Sequence, residues 1–415
     1  MKGSIAIIFF FLALSVGLNN IVIGYKFAGI SYDRLFQLFF FVFLSFSFKE
    51  YYKNKEILAL LVFIFFLSVL YVFGKISLLV QGEEVFIDEF IRGLVRTLMY
   101  FVFVYIVFVL LDNYKWTINI ILVVFFLAFL LAFFQNPLTP LTDFSQSLRL
   151  ELFANNMKDT DLEIYSTFLE DEARNFTRVS GPYGQTITLS YALVSAAIIS
   201  AFCYVYTKKY HYLAFTFFTF IVSIMTLTRS AVLAILIIMS YLMLSRAKGL
   251  LITSLIIVVS LTAFLTFYNL DEFIMFERVV SSDESSSGKL GLIVAGLSAL
   301  ILNPFGVTEA SYYEMKEWSY SLFKSSEILK YPSHNGLINL GFEYTALVYV
   351  PLSFFVLYLV CSCKNMYRDE KIFWFVAWLS FFIQQSFHNN GLFFVEFNIL
   401  IVLALFKYRI YKCKL

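Results

Sequence analysis

With 415 residues, 60% of them hydrophobic and 20% aromatic, and a mean hydropathy of +0.80, the chain is too apolar for a soluble domain, whose apolar share is about 45–50%. That composition predicts an all-α polytopic membrane protein and no nucleic-acid partner, and the formal net charge of +2 becomes informative only once it is divided between the two sides. A helix that satisfies its own backbone needs about 20 apolar residues to cross the hydrocarbon.

In chain order, Ile5 to Val22 reads as a first span, because no small-residue cleavage site precedes Asn19-Asn20. Leu35 to Phe48 and Ile57 to Gly74 read as the second and third, and a polar segment from Lys75 to Arg92 follows. Leu94 to Leu111 and Thr117 to Phe134 make the fourth and fifth, and Ile187 to Tyr206 the sixth, after the long loop Gln135 to Gly184. Tyr212 to Leu244 is apolar except at Thr228-Arg229-Ser230 and too long for one span, which predicts a tight hairpin with Arg229 at its tip. Leu250 to Tyr268 is the ninth span. A second polar region, Asp271 to Asn335, holds a short apolar piece, Leu290 to Leu302, expected to be re-entrant or to lie on the surface. Gly336 to Val360, Phe373 to Phe387 and Leu392 to Phe406 bring the count to about 12. The chain then divides into spans 1–5 (residues 1–134), a first large loop (135–184), spans 6–9 (185–269), a second large loop (270–335), and spans 10–12 with a tail (336–415).

Basic residues mark the cytoplasmic side of a multi-span protein. On this layout sixteen basic and five acidic residues fall inside, a net +11 that leaves −9 for the rest. Both termini are then cytoplasmic, and both large loops face away from the cytosol, where neither ATP nor nucleotide sugars are at hand.

Nothing in the chain announces a metal or a cofactor. Cys203 and Cys413 are isolated, and Cys361-Ser362-Cys363 falls at a cytoplasmic end. His211, His334 and His388 form no i, i+4 zinc pair. No Walker loop, dinucleotide fingerprint or Gly-x-Ser-x-Gly elbow is present, and the sequon Asn175-Phe176-Thr177 is short enough to arise by chance.

What remains is a set of cations on the far side: Arg174, Arg178, Arg229, Arg278 and Lys289. An arginine in an apolar run faces either a wet cavity or a partner, or it snorkels to the headgroups as an anchor, and both readings stand for Arg229. Glu170, Asp171 and Glu172 beside Arg174 favour a solvated face there.

Taken in order, Arg178-Val179-Ser180-Gly181-Pro182-Tyr183-Gly184, Thr228-Arg229-Ser230, Asn303-Pro304-Phe305-Gly306 and His334-Asn335 resemble the O-antigen polymerase and ligase superfamily. The likeness covers about residues 178 to 343; the first 170 or so match only as membrane spans. It implies a GT-C-like, metal-independent glycosyltransferase of the bacterial inner membrane, without a cofactor and with a periplasmic active site. The donor would be an oligosaccharide on undecaprenyl pyrophosphate, with membrane lipid around it and a chain-length regulator and a flippase as candidate protein partners. Carried over, Arg178, Arg229 and Arg278 are the candidate pyrophosphate ligands, since a guanidinium fork binds phosphate oxygens bidentately and stays ionised. Many members carry an arginine just before the amphipathic helix, where this chain has Lys289.

His334, whose ordinary pKa suits proton transfer near neutrality, would sit near the acceptor hydroxyl or the phosphate. The plain alternative makes it a helix-start residue, with Pro332 and Ser333 as turn and cap. Asn335 opens the next helix, and Glu343 is a carboxylate within a span, of the kind that is paired or functional. Tyr312, Tyr313 and Trp318 offer faces for sugar rings, or else form an interfacial aromatic belt. Three functions follow: a polymerase, a ligase that transfers glycan to lipid A core, and, from a different class, a flippase.

Overall fold

The computed structural model describes residues 26–27, 30–31, 55–113, 117–136, 179–183, 186–226, 228–244, 284–333, 335–361, 368–386 and 400–404, with four single positions between 139 and 147. The first, second and ninth predicted spans, most of the first large loop, and Arg174, Arg178, Arg278, His334 and His388 lie outside the described residues. Apart from a two-residue antiparallel ribbon, β1 (Lys26–Phe27) with β2 (Ile30–Ser31), the elements among the described residues are helical. Among the described residues three helices are long and apolar enough to cross a membrane: Ile57–Val80, Thr117–Phe134 and Thr186–Thr207.

Helices α1 (Lys55–Val80) and α2 (Ile87–Asn113) absorb most of the polar segment expected between two spans. The turn between them follows from Gly82, whose φ of 88° is left-handed. Gly82 N donates to the Leu79 carbonyl and Glu83 N to that of Leu78, the paired bonds that close a helix end at such a glycine. Asp88 and Glu89 then sit in the first turn of α2, where negative charge meets the positive end of the helix dipole.

After α3 (Thr117–Phe134) comes α4 (Thr186–Thr207), the centre of the bundle, with 89% of its most apolar window buried. Its small residues, among them Ala192, Ser195, Ala196 and Ala197, let neighbours approach closely, as packing in an apolar medium requires. Around it lie α5 (Tyr210–Met225), α6 (Arg229–Leu244) and the later α12 (Arg368–Ser386). The apolar run 212–244 is thus broken at 226–228, and Arg229 is the first residue of the returning helix.

The described part of the polar region before residue 335 folds as α7 (Glu284–Leu302), α8 (Glu309–Phe323) and the single turn α9 (Glu327–Lys330). Helix α7 leans on α10 (Gly336–Tyr344), where a Cβ on Gly296 would stand 2.7 Å from Ile338 Cγ2, so the approach depends on that glycine. Residues 336–360 do not form one straight span. The chain turns by 112° between Gly336–Tyr344 and Ala346–Val360, where α11 (Tyr349–Cys361) begins. Pro351, whose ring would clash with the Leu347 carbonyl in a continuous helix, lies in the first turn of α11, where it is tolerated. At the break Thr345 has a φ of 69°, and Ala346 N donates to the Pro304 carbonyl at 3.0 Å.

Candidate functional site

One end of the bundle gathers the described parts of the arginine and histidine motifs. There Gln135, fully buried, reaches 45 residues along the chain: its Oε1 accepts from Ser180 N and Gly181 N, both at 2.9 Å, and its Nε2 donates to the Gly181 carbonyl at 3.0 Å. One amide thereby satisfies three backbone groups of a buried loop. Val179 N donates to the Met225 carbonyl at 3.4 Å, so the residue after Arg178 docks on the end of α5, four positions before Arg229. The carbonyl of Thr228 accepts from Ala231 N and Val232 N and starts α6, and the exposed Arg229 side chain forms no ion pair with an acidic group among the described residues.

Cross-helix contacts place the end of α12 at the same level. Ser380 Oγ donates to the Ala234 carbonyl, and Phe373 meets Tyr241 with ring centroids 5.9 Å apart. The two helices therefore run antiparallel, and position 385 comes level with Arg229. Against α4, Gln384 Nε2 donates to Ser190 Oγ at 3.0 Å, and Trp374 Nε1 to the Tyr206 hydroxyl at 3.4 Å, again antiparallel. Next to this end, Asn335 Nδ2 donates to the Ser386 carbonyl at 3.1 Å.

This end is polar and incompletely satisfied. Ser180 Oγ, Thr186 Oγ1, Ser333 Oγ, Gln384 Oε1 and both amide atoms of Gln385 are buried without a hydrogen-bond partner among the described residues. An unmade bond costs about 1–3 kcal/mol for a buried polar group. Several at one end mark a place where folding stability is given up, as binding sites do.

Asn335 is the N-cap of α10, its Oδ1 accepting from Leu337 N and Ile338 N. The cap falls on Asn335 rather than Ser333. Lys289 is exposed on α7. On α8 the predicted aromatics divide. Tyr312 packs edge-on against Phe342 of α10 beneath the Lys316 ammonium, and burial pushes its phenol up to about 12. The same burial lowers the pKa of Lys316, whose Nζ donates to the Leu329 carbonyl at 2.8 Å. Tyr313 and Trp318 are half exposed.

Glu343 pairs with Arg96 of α2. Arg96, Gln135 and Gln384 are the residues that sequence reasoning passed over. Arg96 was discoverable as a charge inside a predicted span; the two amides carried no spacing that could have marked them. Among the described residues no cluster of three or more His, Cys, Asp or Glu side chains could hold a metal ion.

A family model described as O-antigen ligase matches residues 213–344, a stretch that starts within α5, includes Arg229 and closes at the end of α10. The match supports placing the chain in the O-antigen polymerase and ligase superfamily. No curated protein and no solved structure matches the chain.

Proposed function

We propose that this membrane protein is an O-antigen polymerase, which transfers the growing glycan from undecaprenyl pyrophosphate to the next lipid-linked repeat unit at the periplasmic face. The observation that carries the reading is the family match over 213–344, whose first polar break presents Arg229 at a helix start beside the loop clamped by Gln135.

In the transfer, the bond between the anomeric carbon of the donor's reducing-end sugar and the phosphate oxygen breaks. A hydroxyl oxygen of the acceptor forms the new bond to that carbon, its proton passes to His334, and undecaprenyl pyrophosphate leaves with the bonding electrons. Charge accumulates on the leaving phosphates, and fixed cations in a partly dry site stabilise it without reorganising. Arg178, Arg229 and Arg278 take that role, with Arg174 and Lys289 as further phosphate contacts. No metal is required by this scheme, because the arginines supply the positive charge.

The description of the matched family favours a second reading, in which the same donor chemistry delivers the finished chain to lipid A core. A flippase would move the donor and make no bond. The glycan profile of a deletion strain separates the polymerase from the other two. Core bearing one repeat unit is the polymerase outcome, whereas core without any repeat unit excludes the polymerase and leaves the ligase or the flippase.

A further inference from the structure

Helix α10 has nine residues, and an isolated helix shorter than about 12–15 residues is marginal. Its placement must come from its ties to other elements: α7 packs along it at Ile338, Tyr312 packs on Phe342, and polar ties sit at both ends. At the start, Asn335 binds the last turn of α12. At the finish, Glu343 pairs with Arg96, the Tyr344 hydroxyl lies 2.6 Å from Thr97 Oγ1 in a buried contact, and the Tyr344 ring stands 5.7 Å from that of Tyr71. Lys75 brings a second positive charge near the same carboxylate. The Glu343 side chain is 28% exposed and that of Arg96 54%, so the pair is partly shielded from water on the carboxylate side.

We propose that Arg96 and Glu343 are a positioning pair: the ion pair between α2 and the end of α10 sets where α10 lies, and with it the 333–335 loop that leads into the helix. Arg96 lies outside the matched residues 213–344, so the first third of the chain aligns a site that the family domain carries. A directional ion pair suits the task better than apolar contact, which tolerates sliding. The proposal rests on the reading that this loop serves the transfer, where a misplacement of about 1 Å costs roughly 10²-fold in rate.

The test uses the full chain in liposomes and two separate readouts. Arg96→Glu and Glu343→Arg are each expected to lower kcat by about 10²-fold, with KM for the lipid-linked donor little changed. The exchange variant carrying both substitutions restores kcat. The second readout needs no activity. Ser333, 2% exposed, is replaced by Cys in a chain whose Cys361, Cys363 and Cys413 are serine, and its reaction with a water-soluble maleimide is timed. Each single charge reversal should speed that reaction, and the exchange variant should slow it again. Should a charge reversal prevent insertion, Arg96→Gln and Glu343→Gln carry the same comparison.

Single variants with an unchanged labelling rate overturn the proposal, as does an exchange variant that inserts and stays exposed at position 333. Loss of kcat with unchanged labelling would assign the two charges to chemistry rather than position. If labelling responds as expected while the native protein transfers no glycan, the positioning pair stands and the assigned function falls.

Discussion

At the scale of single residues, one amide holds the backbone of a buried loop at the candidate site. Gln135 is the only described side chain bonded to Ser180 N, Gly181 N and the Gly181 carbonyl together. Gln135→Ala strands three buried backbone groups, each worth about 1–3 kcal/mol when unmade, and is expected to lower the Tm in detergent by many degrees. Gln135→Glu keeps the acceptor for the two N–H groups and loses the donor, so its Tm should fall between; equal Tm for all three proteins would contradict the clamp. Arg229 makes the opposite case. Exposed at the start of α6, it can become Lys at little cost to folding. If it grips pyrophosphate as a fork, Arg229→Lys loses most transfer at normal abundance, whereas normal polymer from that variant would mark a headgroup anchor. Sequence reasoning found Arg229 because a charge in an apolar run is conspicuous. It passed over Gln135 because a neutral amide 45 residues from its partners leaves no pattern.

Among the elements, α10 shows what a local motif can and cannot disclose. His334-Asn335-Gly336 reads equally as a catalytic group or a helix start, and the structure gives the capping role to Asn335. Asn335→Ala removes the cap and the bond to α12, an expected loss of about 1–2 kcal/mol. Asn335→Asp keeps the cap and loses only the Ser386 contact. Hydrogen exchange at Leu337 and Ile338 N–H should therefore quicken in the Ala variant and stay near the native rate in the Asp variant. The break at Thr345 was not legible from hydropathy, which averages residues 336–360 into one apolar stretch, although Pro351 was in plain view and disfavours an unbroken helix through Leu347. Hydropathy averages over a window; a proline acts on one carbonyl.

For the molecule as a whole, the apolar composition announced the helices, and the order of motifs announced the family that residues 213–344 match. The packing that brings the ends of α4, α6, α10 and α12 to one level was out of reach, because it is written in contacts between helices rather than along any of them. The division of charge supplies a prediction at this scale. Lys330, exposed at the end of α9, should accept an impermeant thiol reagent as Lys330→Cys in cells opened only at the outer membrane. Labelling that needs lysis would put the candidate site on the wrong side for a lipid-linked donor.

Helix α5 runs for 16 residues between Lys209 and Thr226, about 24 Å at 1.5 Å per residue. A hydrocarbon layer is about 30 Å thick. The polar ends of α5, with Arg229 just beyond one of them, are therefore closer together than the two faces of an undistorted bilayer. As a spanning helix, α5 would be met by thinner lipid at this wall, one of the ways a short apolar stretch is accommodated. Thinning would draw the pyrophosphate of an approaching carrier down to the depth of Arg229 before any contact with the protein forms. Reconstituted transfer should then run faster in short-chain than in long-chain lipids at equal protein and donor.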